Sequence, residues 1–288
     1  MKLLHLFNHL LRSLLFLLLI TSLAVAQGNC KATYGDMGEV FTLATGSPGE
    51  LGLLRELATV FNKKHNTTMC WVKAGSGKSL KLLKEKKVDI IMVHAPATEK
   101  KAIKEGWAIK RSLIGSNEFY IVGPKNDPAG ISSATSAADA YAKIASGKAT
   151  FLSRGDNSGT NKKELSIWKT AGISPSGDWY VITKDFMMAT LKKANKINGY
   201  FMTDSSTWVA GKKDLGNIKV LFKGDPYLIN TYHGLCQPEG ATKAQKYASK
   251  FIDFLNSVPG QKIIRDYGKT LYGQGMYNDA QYAKKYDH

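Results

Sequence analysis

Strand-like and helix-like segments alternate along most of this chain, and each strand stops at a short run of small residues. Val40 to Ala44 is an apolar, β-prone run that ends at Thr45-Gly46-Ser47-Pro48-Gly49, and Leu51 to His65 follows with helical spacing of its apolar residues. Met69 to Lys73 ends at Gly75-Ser76-Gly77, before a helix carrying Leu80, Leu82 and Leu83. Val88 to His94 ends at Ala95-Pro96, before a short helix from Glu99 to Gly106. Further strands are predicted at Phe119 to Val122, Thr150 to Ser153, Tyr180 to Thr183, Tyr200 to Thr203 and Lys219 to Phe222, with helices at Ala137 to Ser146, Lys162 to Ala171, Ala244 to Ser257 and Gln261 to Tyr267. Such alternation specifies an α/β fold with parallel or mixed sheets. In these folds ligands bind beyond the carboxyl ends of the strands, where the small-residue loops lie.

One of those loops carries the strongest chemical signal. Ser153-Arg154-Gly155-Asp156-Asn157-Ser158-Gly159-Thr160 precedes a helix. An arginine fork, convergent backbone amides, two hydroxyls and the positive end of a helix dipole together make a socket for a small oxyanion. Asp156 would repel an anion that has no proton to share, and is expected to orient the Arg154 guanidinium. Facing the ligand instead, it would favour hydrogen phosphate. Thr45, Gly46 and Ser47 offer a second donor cup, Ser76 a further hydroxyl at the next strand end, and the loop Asp185 to Thr190, with Met188, backbone amides. His94 and His233 read as structural imidazoles.

The first residues indicate export. Lys2 and Arg12 flank an apolar run from Leu14 to Ile20, and Ala24-Val25-Ala26 offers small residues for cleavage, so residues 1–26 read as a signal peptide. The run is too short for a confident membrane span, and the expected location is the periplasm. The formal charge of +17 becomes +15 without Lys2 and Arg12, which points to anionic partners. The lysines at 78, 81, 84, 86, 87, 100, 101 and 104 fall opposite apolar residues at helical spacing, so they are read as solvated helix faces. No aromatic-interleaved basic motif of a nucleic-acid reader is present. Cys30, Cys70 and Cys236 allow one disulfide and one thiol in an oxidising compartment, with the pairing open. They form no motif that suggests metal or redox chemistry.

Several motifs in order carry a family resemblance: Ser153 to Thr160, Val93-His94-Ala95-Pro96, Val122-Gly123-Pro124-Lys125-Asn126-Asp127-Pro128-Ala129-Gly130, Ala189-Thr190-Leu191 with Ala194-Asn195, and Phe251-Ile252-Asp253-Phe254-Leu255. From about Val40 to Ala280 the chain resembles the tungstate-binding proteins of ABC importers, a branch of the type II periplasmic-binding-protein fold. The resemblance implies two α/β lobes joined by two hinge crossings. Lobe 1 takes residues 39–120 and 222–288, lobe 2 takes residues 121–221, and the ligand cleft lies between them.

It further implies no cofactor, capture of tungstate or molybdate as the oxyanion rather than as a free metal cation, a monomer, and delivery to an ABC permease and its ATPase. The ligand set it suggests is Thr45, Gly46, Ser47, Ser76, Arg154, Ser158, Gly159, Thr160 and Met188. Departures fall on the ligand loops. Ala44-Thr45-Gly46-Ser47 stands where the family usually has Thr-Thr-Thr-Ser, Ser205-Ser206 where it tends to have Arg-Gly, and Asn161 where it has His. These bear on which anion is taken and leave the fold expectation untouched. A phosphate-binding protein of the same fold, or a binding lobe that signals to a sensor, would use the same pocket. The Gly155-Asp156-Asn157-Ser158-Gly159 run is similar to a serine-protease nucleophile loop, but the helix directly after Ser158 removes the oxyanion-hole geometry such an enzyme needs.

Overall fold

The computed structural model describes residues 30–287, so the expected signal peptide at residues 1–26 lies outside the described residues. In chain order the elements are β1 Ala32–Tyr34, β2 Glu39–Thr45, α1 Ser47–Glu50, α2 Leu53–His65, β3 Thr67–Lys73, α3 Ser76–Lys84, β4 Ile90–Val93, α4 Pro96–Lys104, β5 Ile109–Pro124, α5 Ala137–Ser146, β6 Phe151–Ser153, α6 Gly159–Thr170, β7 Tyr180–Ile182, α7 Met187–Ile197, β8 Tyr200–Asp204, α8 Ser205–Gly211, β9 Ile218–Phe222, β10 Ile229–Cys236, α9 Gln245–Asn256, α10 Val258–Asp266, α11 Lys269–Tyr272, β11 Asn278–Asp279 and α12 Ala280–Ala283. Among the described residues, no helix is long and apolar enough to cross a membrane.

Two sheets share one strand. The first runs β1-β3-β2-β4-β10-β5, and the second runs from β5 through β8 and β6 to β7, with β9 also on β5. Strands β2, β3 and β4 pair in parallel, as do β6, β7 and β8. β10 is antiparallel to both β4 and β5. The 16-residue β5 pairs with β10 through its first part and with β8 and β9 through Phe119 to Pro124, so it passes from one sheet to the other. The chain returns between β9 and β10 through a short turn at Pro226–Leu228. These are the two crossings of a two-lobed α/β fold.

The cores follow from the apolar spacing. On α2 the residues Leu53, Leu54, Leu57, Ala58 and Phe61 are buried on one face, as a helical stripe requires. They join Phe41, Leu43, Met69 and Trp71 of the first sheet and Phe251, Ile252, Phe254 and Leu255 of α9, so the C-terminal helices pack back on the first sheet. The second core gathers Phe119, Ile121, Tyr141, Phe151, Trp168, Leu191 and Phe201. Helix α8 touches both, since Val209 enters the first core and Trp208 packs on the second. Lys78, Lys81, Lys84, Lys86, Lys87, Lys100, Lys101 and Lys104 are exposed.

Three segments differ from the sequence expectation. β5 extends far beyond Phe119 to Val122 because its polar Gly115-Ser116-Asn117-Glu118 stretch is held by ladder bonds to β10. Ser116 and Asn117 are buried there, and a polar run at a crossing has no apolar alternation to announce it. β10 itself had no strand expectation for the same reason. β1 is a three-residue edge paired to β3 and tied to it by the Cys30–Cys70 disulfide, while Cys236 is a buried free thiol. Burial pushes the Cys236 thiol up to about 11, so it stays protonated at neutral pH. The disulfide closes a loop of 40 residues. Its reduction, or Cys30→Ser, is expected to lower the unfolding free energy by about 2–4 kcal/mol, read as a lower urea midpoint.

Candidate functional site

Strands β2, β3, β4, β6 and β7 all deliver their carboxyl ends to one place between the sheets. A cavity of about 10 Å³ lies there, lined by Gly46, Ser47, Gly75, Ser76, Met92, His94, Arg154, Ser158, Phe186 and Tyr232. That is room for about one water-sized group in this arrangement. Four of these residues are helix N-caps: Gly46 of α1, Gly75 of α3, Ser158 of α6 and Phe186 of α7. Helices α3, α6 and α7 are 9, 12 and 11 residues long. Each brings first-turn amides that have no carbonyl one turn earlier to bond, together with the positive end of its dipole.

Arg154 is the fixed charge of the site, at 4 % exposure. Its Nη2 donates to Asp156 Oδ2 at 2.6 Å and its Nε to the Asp185 carbonyl at 3.2 Å. Asp156 Oδ1 also accepts from the Ser158 amide at 3.1 Å. The aspartate is thus turned to the guanidinium and the loop, and holds the fork in one plane. Gly155 (φ 56°) and Asn157 (φ 58°) make the tight reversals between them. At Gly155 a Cβ would meet Ile182 Cγ2 at 2.4 Å, so both the backbone and the space require glycine. Asn161 braces the same loop: its Oδ1 accepts from the Asn157 amide at 3.1 Å, and its own amide caps onto Ser158 Oγ.

The facing loops supply hydroxyls in different states. Ser76 Oγ, in a residue 3 % exposed, accepts from the His94 amide at 3.2 Å, which leaves its proton free to turn to the cavity. Ser158 Oγ accepts from the Asn161 amide and has the same freedom. Ser47 Oγ donates across to Asp204 Oδ2 at 3.2 Å, so its proton must be exchanged before it can serve a ligand. Phe186 caps the wall, with Lys73 Nζ 4.3 Å and Arg154 Cζ 5.6 Å from its ring centre. Lys73 is paired with Glu50 at 2.8 Å.

Of the expected set, Gly46, Ser47, Ser76, Arg154 and Ser158 line the cavity, and Asp156 stands beside it on Arg154. Four are corrected. Thr45 is fully buried and spends its hydroxyl on the Met92 carbonyl at 2.8 Å, because it is the last residue of a central strand. The Met188 side chain packs on the second core against Gly211, leaving Phe186 to face the cavity. Gly159 and Thr160 also lie off the wall. Gly159 abuts His94, and the buried Thr160 hydroxyl has no partner among the described residues.

Sequence reasoning left out Met92 and Tyr232, took Phe186 only as part of the Asp185 to Thr190 loop, and set His94 aside as structural. Met92 and His94 belong to the same strand end as Ala95-Pro96, and that position was the available signal. Tyr232 had none, since β10 was not foreseen. The His94 ring stacks near Tyr232, 4.8 Å between centres, and bonds Asn230 Oδ1 through Nδ1 at 2.8 Å. Burial lowers its pKa to about 4, so it is neutral at pH 7. His233 is remote from this cavity's lining, fully buried between Glu99 and Asp287 at 3.0 and 3.1 Å.

The arrangement is a donor-rich, closed socket between two lobes, and the matching family model is a PBP superfamily domain over residues 24–258. The chain belongs to that family. An ABC transporter anion-binding protein of Haloferax volcanii is 35 % identical over 260 residues, covering 88 % of this chain and 75 % of that protein. The tungstate-binding protein TupA of Peptoclostridium acidaminophilum is 32 % identical over 273 residues, covering 90 % and 94 %. Among solved structures, the tungstate ABC transporter protein of Geobacter sulfurreducens superposes with a TM-score of 0.73 at 37 % identity, covering 81 % of this chain and all of that one. Membership of this family makes the protein a solute-binding protein rather than an enzyme, with the type II two-lobed fold.

Proposed function

We propose that the protein captures a single tetrahedral oxyanion, tungstate or molybdate, in the cavity at Arg154 and hands it to an ABC permease driven by its ATPase. The observation that carries this is the convergence of four helix N-caps and one buried guanidinium on a space of about 10 Å³. The lobes are residues 39–120 with 222–288, and residues 121–221. They close over the ligand by motion at β5 and the β9–β10 return. In the loaded site Arg154, the hydroxyls of Ser47, Ser76 and Ser158, and amides at Gly46, Gly159, Thr160 and Met188 donate to the anion's oxygens. The protein works as a periplasmic monomer after loss of its signal peptide.

The pairing of Asp156 with Arg154 removes that carboxylate as an acceptor for the proton of hydrogen phosphate. Discrimination against sulfate follows from size, because a smaller anion leaves buried donors unpaired at about 1–3 kcal/mol each. Calorimetric titration of the ligand-stripped mature protein with tungstate, molybdate, sulfate and phosphate at neutral pH tests this. Submicromolar tungstate or molybdate binding with the other two silent is the expected result. Binding of phosphate alone, or of none of the four, would overturn the reading.

A further inference from the structure

The ring of His94, which lines the cavity, is held by a chain of hydrogen bonds leading away from it. The buried Asp204 carboxylate accepts from Ser206 Oγ, and Ser206 Oγ accepts from Asn117 Nδ2 at 2.9 Å. Asn117 Oδ1 accepts from Asn230 Nδ2 at 2.7 Å, and Asn230 Oδ1 meets His94 Nδ1 at 2.8 Å. A carboxylate can only accept, so every amide in the series has its direction fixed and the last link requires a proton on Nδ1. The neutral ring therefore carries its lone pair on Nε2. The Nδ1–Cε1 edge is packed where a Gly159 Cβ would lie, at 2.6 and 2.5 Å. Among the described residues Nε2 has no hydrogen-bond partner.

A bare acceptor lining the same cavity as Arg154, Ser76 and Ser158 is the wrong complement to an oxyanion. Charge adds to the mismatch. The Arg154 charge is shared with Asp156 at 2.6 Å and that of Lys73 with Glu50 at 2.8 Å, so a dianion finds little uncompensated positive charge. Resting on the binding reading above, we infer that His94 binds the anion as an imidazolium, with one proton held between its Nε2 and an anion oxygen. Tungstate and molybdate carry no proton at neutral pH, so solvent supplies it as the lobes close. A ligand that already carries a proton would supply its own.

The groups that face the ring agree with this. Asp204 ahead of α8 and Glu99 on α4 favour the charged ring and Arg154 opposes it. Tyr232 on β10 is held protonated by burial, and Phe119 on β5 is neutral. Burial holds the free imidazole at about 4, and a bound dianion raises it. Between those two values binding takes up a proton, and tungstate affinity rises about tenfold for each pH unit lowered.

The test titrates the full mature chain with sodium tungstate from pH 6.5 to 9, in pairs of buffers of unequal ionisation heat. It is repeated with H94Q, and 15N spectra of the histidine-labelled wild type follow Nε2. Expected are uptake approaching one proton per tungstate, a sloping affinity profile that H94Q flattens, and an Nε2 shift that moves from bare to protonated nitrogen on binding. Tungstate binding with no proton uptake and an unchanged bare Nε2 would overturn the inference and leave the binding reading standing. The spectra decide this on the wild type even if H94Q does not fold. Absence of tungstate binding by the wild type would remove both.

Discussion

Arg154→Ala is expected to raise the dissociation constant for tungstate by about 100-fold or more. Charge-assisted hydrogen bonds contribute about 1.5–3 kcal/mol each, and a forked guanidinium makes two. Arg154 is 4 % exposed and already aimed by Asp156 and the Asp185 carbonyl, so little side-chain entropy is lost when the ligand arrives. Arg154→Lys is expected to recover only part of the loss, because an ammonium cannot reproduce the planar fork. Calorimetry gives the affinity, and the thermal midpoint of the ligand-free protein separates a lost contact from a damaged fold. A variant that retains tight binding would move the anion away from Arg154.

Gly159→Ala is expected to weaken binding by about 10- to 100-fold with the ligand-free protein still folded. In the closed arrangement a Cβ at this position would lie 2.5 Å from His94 Cε1 and 2.6 Å from the His94 carbonyl oxygen. The backbone atom cannot swing aside. Gly159 opens α6, after β6 of the second sheet, while His94 follows β4 of the first, so the clash arises only when the lobes meet. Overpacking of this kind costs about 1–3 kcal/mol, and here the cost falls on closure. The expected reading is a normal melting temperature without ligand and a reduced upward shift with tungstate. An unfolded variant, or one with unchanged affinity, would show that the contact is not made on binding.

The elements with clear apolar periodicity were legible in the sequence. α2, with Leu54, Leu57 and Phe61 on one face, and the strand ends at Gly75, Pro96 and Arg154 announced both the α/β class and the end of the sheets where a ligand sits. The Arg154–Ser158 loop was legible because arginine, glycine and hydroxyl residues ahead of a helix have few other uses together. β10 and the hinge part of β5 were not legible, since Asn117 and Asn230 are buried polar residues bonded to each other at 2.7 Å across two strands. A bond between residues 113 positions apart leaves no trace in local pattern.

The cavity wall divides along the same line. Local order decided that Gly46, Gly75 and Ser158 would stand at helix starts, because capping geometry depends on neighbours within a few residues. Which of those groups face the cavity was decided only by tertiary packing. Thr45 lost its hydroxyl to the Met92 carbonyl, Met188 turned to the second core, and Phe186 with Tyr232 took the wall. The tautomer of His94 was likewise set by Asp204, 110 positions away, through three intervening side chains. The sequence by itself determined the elements and the loops between them, since these rest on short-range periodicity and turn chemistry. The tertiary structure decided how donors, acceptors and charges are shared across the cavity, since bonds such as Thr45–Met92, Ser47–Asp204 and His94–Asn230 join residues that only the fold brings within about 3 Å.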